Sequence, residues 1–284
     1  MPHADSGASA AVPDRTTGVR ASMSYLGAMT VRPRFFANDQ SRNVLALDPR
    51  AVWIEDARRR AKPASLEEDG FTIVAHRSAV ADFRDAAEVA RLHPPEIEAL
   101  VQQLSGAAAA VVSSPGVLRF GERSDDCGRL NNSRPARFIH IDVSAATGDA
   151  FAERARPTQF GGAVRRFAHY NVWRVLSPPP QDVPLALCNA RSLDPGDLVA
   201  ADAVFDRPGQ PEWSFEALLV RYNPRHRWSY YSGMSREEAL VFKTYDSDPT
   251  QPVHVPHCAF DDPTCPPGVT PRASIEMRAI AYWL

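Results

Sequence analysis

The sequence predicts a mainly β protein with flanking helices, built as an antiparallel sandwich or barrel. Three observations predict it. Past residue 150, short β-rich runs recur between Pro, Gly and Asn. Proline reaches 25 of 284 residues, which suits loops and short strands better than a helix bundle. Helical patterning is concentrated before residue 110.

Taken in order, residues 1–22 read as a disordered tail, rich in Ala, Ser, Gly and Pro. Residues 24–60 mix apolar runs with Asn, Asp and Arg and read as an arm packed on the core. FTIVAHRS (71–78) reads as a strand. Ala79–Val89 and Pro94–Leu104 look helical, with Pro95 near a helix start. AAAAVVSS (107–114) suits strand or helix. GVLRF (116–120) and ARFIHIDVS (136–144) are strand-like. FAHYNVWRVL (167–176), PLALCNARSL (184–193), EALLVRYN (216–223) and RWSYYSGM (227–234) follow as β-rich runs. SREEALVFKTYD (235–246) opens like a capped short helix, with Ser235 ahead of Glu237 and Glu238. PVHVPHCAF (252–260) and ASIEMRAIAYWL (273–284) complete about eight strands. The organisation is one domain over 23–284: arm and helices to about residue 110, then a β core over 111–284.

Composition narrows the function. A formal net charge of −2 with no basic tract argues against nucleic acid as a partner. No apolar run is long enough to span a membrane, and the first residues lack the apolar core of a secretory signal. Four scattered cysteines suit free thiols in a reducing cytoplasm better than a disulfide framework.

ARFIHIDVS carries the first chemical signal. Side chains alternate along a strand, so Ile139, Ile141 and Val143 share one face. Phe138, His140, Asp142 and Ser144 share the other. A His-x-carboxylate pair alone is weak, since about one arises by chance in a chain of this composition. On a strand, however, both side chains enter one space, as two ligands of one metal would. A second cluster, His254-Val-Pro-His257, lies late in the chain. Two histidines and a carboxylate around an open-sided metal form the facial triad of non-haem iron(II) oxygenases. His254 and His257 are three apart, so they face opposite ways on a strand and only one suits a ligand. Arg272 and Ser274 then alternate onto one face, where a fork and a hydroxyl could grip a carboxylate. Glu276 and Arg278 continue that face. Arg278 could bind cosubstrate or substrate, or pair with Glu276. Lys243 and Asp246 read as a surface ion pair of little value. Arg191 could pair with a carboxylate.

HIDVS, YNVWRVL, PLALCNARS, YNPRHRWSYYSGM, ALVFKTYDSD, PHCAFDDP and PRASIEMRAIAYW occur in that order. Over about residues 25–284 they resemble the CmcJ/NvfI/asaB-type hydroxylase–desaturase family, which includes gibberellin desaturase-like proteins. The resemblance implies a double-stranded β-helix core of the jelly-roll, cupin-like kind. It implies an oxygenase using iron(II) and 2-oxoglutarate, with dioxygen, to hydroxylate or desaturate a small organic metabolite of a secondary pathway. It matches His140, Asp142 and His257 to the iron ligands, and Arg272 to the arginine that holds the distal carboxylate of 2-oxoglutarate. The spacing of fifteen from His257 is long for the wider superfamily, so Arg278 stays open as the anchor. Tyr170 and Asn171 fall in the Tyr-Asn-x-Trp block and could bond cosubstrate or substrate. Tyr170 and Trp173 read equally as core aromatics. A carboxylate at Asp142 leaves no iron position for halide, which disfavours halogenation. Oligomeric state is open.

Two other readings compete. A zinc enzyme could use His254, His257, Cys258 and Cys265, although neighbouring His257 and Cys258 diverge on a strand and no C-x-x-C is present. A metal-free β-sandwich binding protein is the non-enzymatic reading. The presence of all three ligands and an arginine speaks against it.

Overall fold

A computed structural model describes residues 17–160 and 164–284. The tail expected over 1–22 lies outside the described residues up to residue 16. From Gly18 the chain is already a strand.

The described residues form fifteen strands in two sheets, not about eight. The excess comes from short strands and from the arm. The larger sheet has nine strands. In spatial order they are β1 (Gly18–Leu26), β3 (Leu47–Asp56), β12 (Trp228–Tyr230), β9 (Leu185–Cys188), β14 (His257–Ala259), β7 (His140–Ile141), β11 (Trp213–Val220), β10 (Leu198–Phe205) and β2 (Arg34–Phe36). The smaller sheet runs β4 (Phe71–Ala75), β13 (Glu238–Asp246), β8 (Arg166–Val175), β15 (Ala273–Trp283) and β5 (Ala109–Val112), with β6 (Val117–Phe120) also pairing β15. Two curled, mostly antiparallel sheets face each other, as a double-stranded β-helix requires.

Alternation sorts the side chains. On β8, Tyr170 and Val172 join Met277 and Ala279 of β15 on the outer face. The helix α1 (Ala86–Ser105) lays Val89, Ile97, Leu100 and Val101 on that face. The opposite face of β8 and β13 sends Trp173, Val175 and Phe242 inward, where they meet Leu185 and Leu187 of the larger sheet. The larger sheet also curls on itself. Ser24 and Leu26 of β1 bridge to Phe138 and Arg221, enclosing Ile139, Ile141 and Cys258.

Several local expectations are corrected. The two helices expected before residue 110 are one, α1, and Ala79–Asp85 lies outside it. Asp85 caps it by accepting from the Ala87 and Glu88 amides. Pro94 and Pro95 lie inside, and the carbonyls their missing N–H groups leave, on Ala90 and Arg91, belong to exposed residues. SREEALVFKTYD does not open as a helix. The Glu238 carboxylate accepts from the Ser235 amide in a turn that feeds β13. A second helix, α2 (Ala145–Ala155), was not expected. Ser144, read as a strand residue, is its N-cap. Lys243 and Asp246 are not a surface pair: both are 2% exposed. The Asp246 carboxylate accepts from Lys243 at 2.8 Å and from two Arg166 nitrogens at 3.0 and 2.6 Å. Arg191 donates to the carbonyls of Glu67 and Glu68 rather than to a carboxylate.

Candidate active site

The triad is assembled by two neighbouring strands. His140 of β7 pairs directly with His257 of β14, so both rings leave the larger sheet side by side, 4.3 Å between centroids. Asp142 follows two residues on, on the same face as His140. Asp142 Oδ1 lies 3.5 Å from His140 Nε2 and 3.7 Å from His257 Nε2. One ligand atom from each residue falls within 4.8 Å of the others. Among the described residues it is the one His/Cys/Asp/Glu cluster with that spacing.

Surrounding bonds aim each group. The Nδ1 atoms of His140 and His257 face the Phe138 and Val255 carbonyls at 3.1 and 3.2 Å. Each Nδ1 therefore carries the proton and donates it, which leaves both Nε2 lone pairs free. Asp142 divides its oxygens. Oδ2 accepts from Asn171 Nδ2 at 2.7 Å and Arg278 Nε at 3.0 Å. Oδ1 remains for the histidine side. Asn171 and Arg278 are directly paired on β8 and β15, so the smaller sheet orients a ligand carried by the larger one.

Electrostatics keep these groups in ligand form. Burial pushes the Asp142 carboxyl upward, but the Arg278 guanidinium outweighs it and holds the group well below the carboxylate range. Burial, then the neighbouring His140, lowers His257 to about 3, so its ring is neutral. The donor set of two imidazoles and one carboxylate, open on one side, fits an iron(II) site.

The four arginine-strand residues have different fates. Ser274, Glu276 and Arg278 share the inner face of β15 by register, and Arg272 lies just before that strand. Arg278 is engaged, giving Nε to Asp142 and Nη2 to Glu276 at 2.7 Å. Arg272 is 1% exposed. Its Nη1 donates to the Val183 carbonyl at 3.1 Å, while Nε and Nη2 have no partner. Those two nitrogens form one side of the guanidinium fork, the side a carboxylate bonds with both oxygens. Burial, then Arg119 and Arg137, push this guanidinium down to about 10, as an anion would reverse. Ser274 lies beside Arg119 in the β15–β6 ladder and donates to its carbonyl at 3.4 Å.

Other candidates fall elsewhere. Tyr170 belongs to the outer-face cluster packed with α1, though it also borders the chamber beside Asn171. His254 faces the Thr244 carbonyl through Nδ1 at 2.8 Å and stacks on Tyr245. Cys258 points into the enclosed core of the larger sheet, behind His257, and Cys265 sits in the following turn. The zinc cluster of His254, His257, Cys258 and Cys265 therefore does not converge: a strand sends its two central members apart.

Asp142 of the triad lines a chamber of about 460 Å³, and His140 lines a smaller recess that shares Asp142 and Arg278 with it. Asp142, Asn171 and Arg278 form the chamber's floor, α2 one side, and the β10–β11 hairpin the other. Sequence reading missed Arg154, Arg207 and Trp213 on its walls, and Arg119 in a smaller adjoining recess. Arg119 was detectable, since Val117 and Arg119 share a strand face. Arg154 was not, because α2 itself went unrecognised.

Comparison with known proteins places the chain. A family profile described as "YDMC: Oxidoreductase/YMDC permease-like domain" matches residues 23–282. The chain belongs to that family. Among curated relatives it is 28% identical to the alpha-ketoglutarate-dependent dioxygenase phiK of Fungal sp. (strain ATCC 74256), over 84% of this chain and 85% of that one. It is 29% identical to the Fe(II)/2-oxoglutarate-dependent dioxygenase nvfI of Aspergillus novofumigatus, over 82% and 84%. A solved structure titled as the iron and alpha-ketoglutarate-dependent endoperoxidase NvfI superposes with a TM-score of 0.82 at 24% identity, covering 95% of this chain and 99% of that one. That likeness shows the fold, a cupin-like double-stranded β-helix.

Proposed function

We propose that the protein is a non-haem iron(II)- and 2-oxoglutarate-dependent dioxygenase that oxidises a C–H bond of a small organic metabolite of a secondary pathway. The observation that carries this reading is the convergence of His140 Nε2, His257 Nε2 and Asp142 Oδ1, with Asp142 also lining the chamber. Dioxygenase relatives over more than four fifths of the chain support it.

When bound, iron(II) with 2-oxoglutarate and dioxygen supplies an oxidant able to take hydrogen from an unactivated carbon, while the cosubstrate goes to succinate and carbon dioxide. The chain's residues do the rest. His140, Asp142 and His257 would hold the ion on one side. Asn171 and Arg278 hold Asp142 Oδ2, so the carboxylate offers one oxygen and leaves room for other ligands. Arg272 would take the distal carboxylate of 2-oxoglutarate through Nε and Nη2, with Ser274 beside it. Arg278 is committed to Asp142 and Glu276, which favours Arg272 as the anchor. Chamber walls would fix which C–H bond faces the metal, and hence hydroxylation or desaturation. We place the enzyme in a reducing cytoplasm, which suits its four unpaired cysteines. Among the described residues no helix is long and apolar enough to cross a membrane.

Anaerobic addition of iron(II) and 2-oxoglutarate to metal-free protein should give a visible charge-transfer band. His140→Ala should abolish it. Arg272→Ala should raise the 2-oxoglutarate needed by about tenfold or more. A wild-type protein that shows no band and retains zinc would overturn the reading. A band indifferent to Arg272 but weakened by Arg278→Ala would move the anchor.

A further inference from the structure

The chamber above Asp142 carries two cations with nothing to hold. Arg154, on α2, and Arg207, just after β10, both line it. Neither forms an ion pair or side-chain hydrogen bond among the described residues; Arg154 lies over the Phe151 ring at 4.8 Å. The carboxylates nearest in sequence are committed. Glu153 takes Arg156, and Asp206 accepts from the Asn38 and Asp39 amides. Asp142 is the one acidic residue in the lining, and Arg278 already answers it. Arg154 sits in the last turn of α2, where a cation suits the helix dipole, but Arg207 has no such reason for its place. On a chain of net charge −2, the chamber is thus locally cationic.

The chamber these arginines line also has an aromatic wall. Phe205 and Trp213 stack 4.5 Å apart at 16°. Phe215 continues the stack 5.3 Å from Phe205, and Phe151 meets Phe215 edge-on at 5.2 Å. Trp213 is 52% exposed, a large apolar surface left uncovered at the chamber's edge. Exposed rings beside unpaired guanidiniums are complementary to a flat apolar skeleton that ends in an anion.

We infer that the substrate is an apolar, planar or polycyclic acid, whose carboxylate is held by Arg154 and Arg207 while its ring system lies on the Phe205–Trp213–Phe215 wall. The inference rests on the oxygenase reading for where the reacting carbon points, and on the chamber alone for the acid. The two arginines fix the end of the molecule that does not react, and so set which carbon reaches the floor.

The test uses naphthalene-2-carboxylate and its methyl ester as probes, titrated calorimetrically into the full chain, with and without iron(II) and 2-oxoglutarate under anaerobic conditions. The acid should bind about tenfold more tightly than the ester. That preference should shrink as salt rises. The double variant Arg154→Gln/Arg207→Gln should lose the preference, and Arg154→Lys/Arg207→Lys should keep most of it. The uncharged ester reports whether the wall is intact in each variant. Equal binding of acid and ester by the wild type would overturn the inference, as would a preference that survives in the glutamine variant. The wild-type charge-transfer band is read separately, so failure of the acid grip and failure of the iron reading are distinguishable.

Discussion

At the scale of the residue, Asp142 carries the most consequence, because its two oxygens serve different neighbours. Asn171→Ala removes the 2.7 Å bond that fixes Oδ2. Iron(II) affinity should then fall about ten- to hundredfold, read by competition with a chromophoric chelator, with the fold intact. Asp246 makes the contrasting case. Asp246→Ala would strand Arg166 and Lys243 beside a buried void. It should cost about 3–5 kcal/mol in urea unfolding, far more than a surface pair. His140 and Asp142 were legible because a strand's period of two puts them on one face. Arg272 and Arg278 were not separable, since positions six apart in an extended chain return to the same face. Only their tertiary partners distinguish the engaged guanidinium from the unsatisfied one. The burial of Lys243 and Asp246 was equally hidden, because three-residue spacing looks the same on a surface turn.

At the scale of the element, α2 is fastened to the smaller sheet by close packing. A Cβ on Gly148 would lie 2.3 Å from Tyr245 Cδ1, and the Tyr245 hydroxyl donates to Asp149 at 2.8 Å. Gly148→Ala should therefore push α2 outward and cost about 1–3 kcal/mol, seen as a lower melting temperature. Probe binding should weaken with it, because Phe151 and Arg154 ride on the same helix. The long strands β8 and β15 were legible from alternation and β-branched content. α2 was not, because Ser144 continues the alternation of the strand before it. Pro94 and Pro95 misled in the other direction: they suggested a boundary where tertiary packing of Ile97, Leu100 and Val101 carries one helix through.

At the scale of the molecule, burial holds His76, His93, His169, His226, His254 and His257 below the usual imidazole value. The native state keeps these rings neutral, whereas the unfolded chain protonates them near 6.5. Acid therefore favours unfolding. Metal-free protein should lose stability as pH falls from about 7, and the loss should continue to about 4, where His169 protonates in the fold. His169 alone contributes on the order of 3 kcal/mol of this span. Chemical denaturation at pH 7 and pH 5 measures it, and His169→Gln should flatten the slope. A profile level between those pH values would refute the assignment. Alternation of the long strands was enough to predict an antiparallel sandwich or barrel, and the jelly roll itself came from the resemblance of the ordered blocks to a known family. The short strands β7 and β14 could not be bounded, since two or three paired residues leave no period to read.

The return of β1 across the larger sheet has a practical consequence. The Ser24 carbonyl accepts from the amide of Ile139, the residue before His140. Residues 18 to 22 secure that strand by pairing Glu55 through Ala51. A chain trimmed at the compositional boundary near residue 22 would keep every ligand, yet would cut away half of the strand that backs one of them. The safe cloning boundary thus lies upstream of Gly18, and a shortened product that purifies well but loads iron poorly would be the signature of having crossed it.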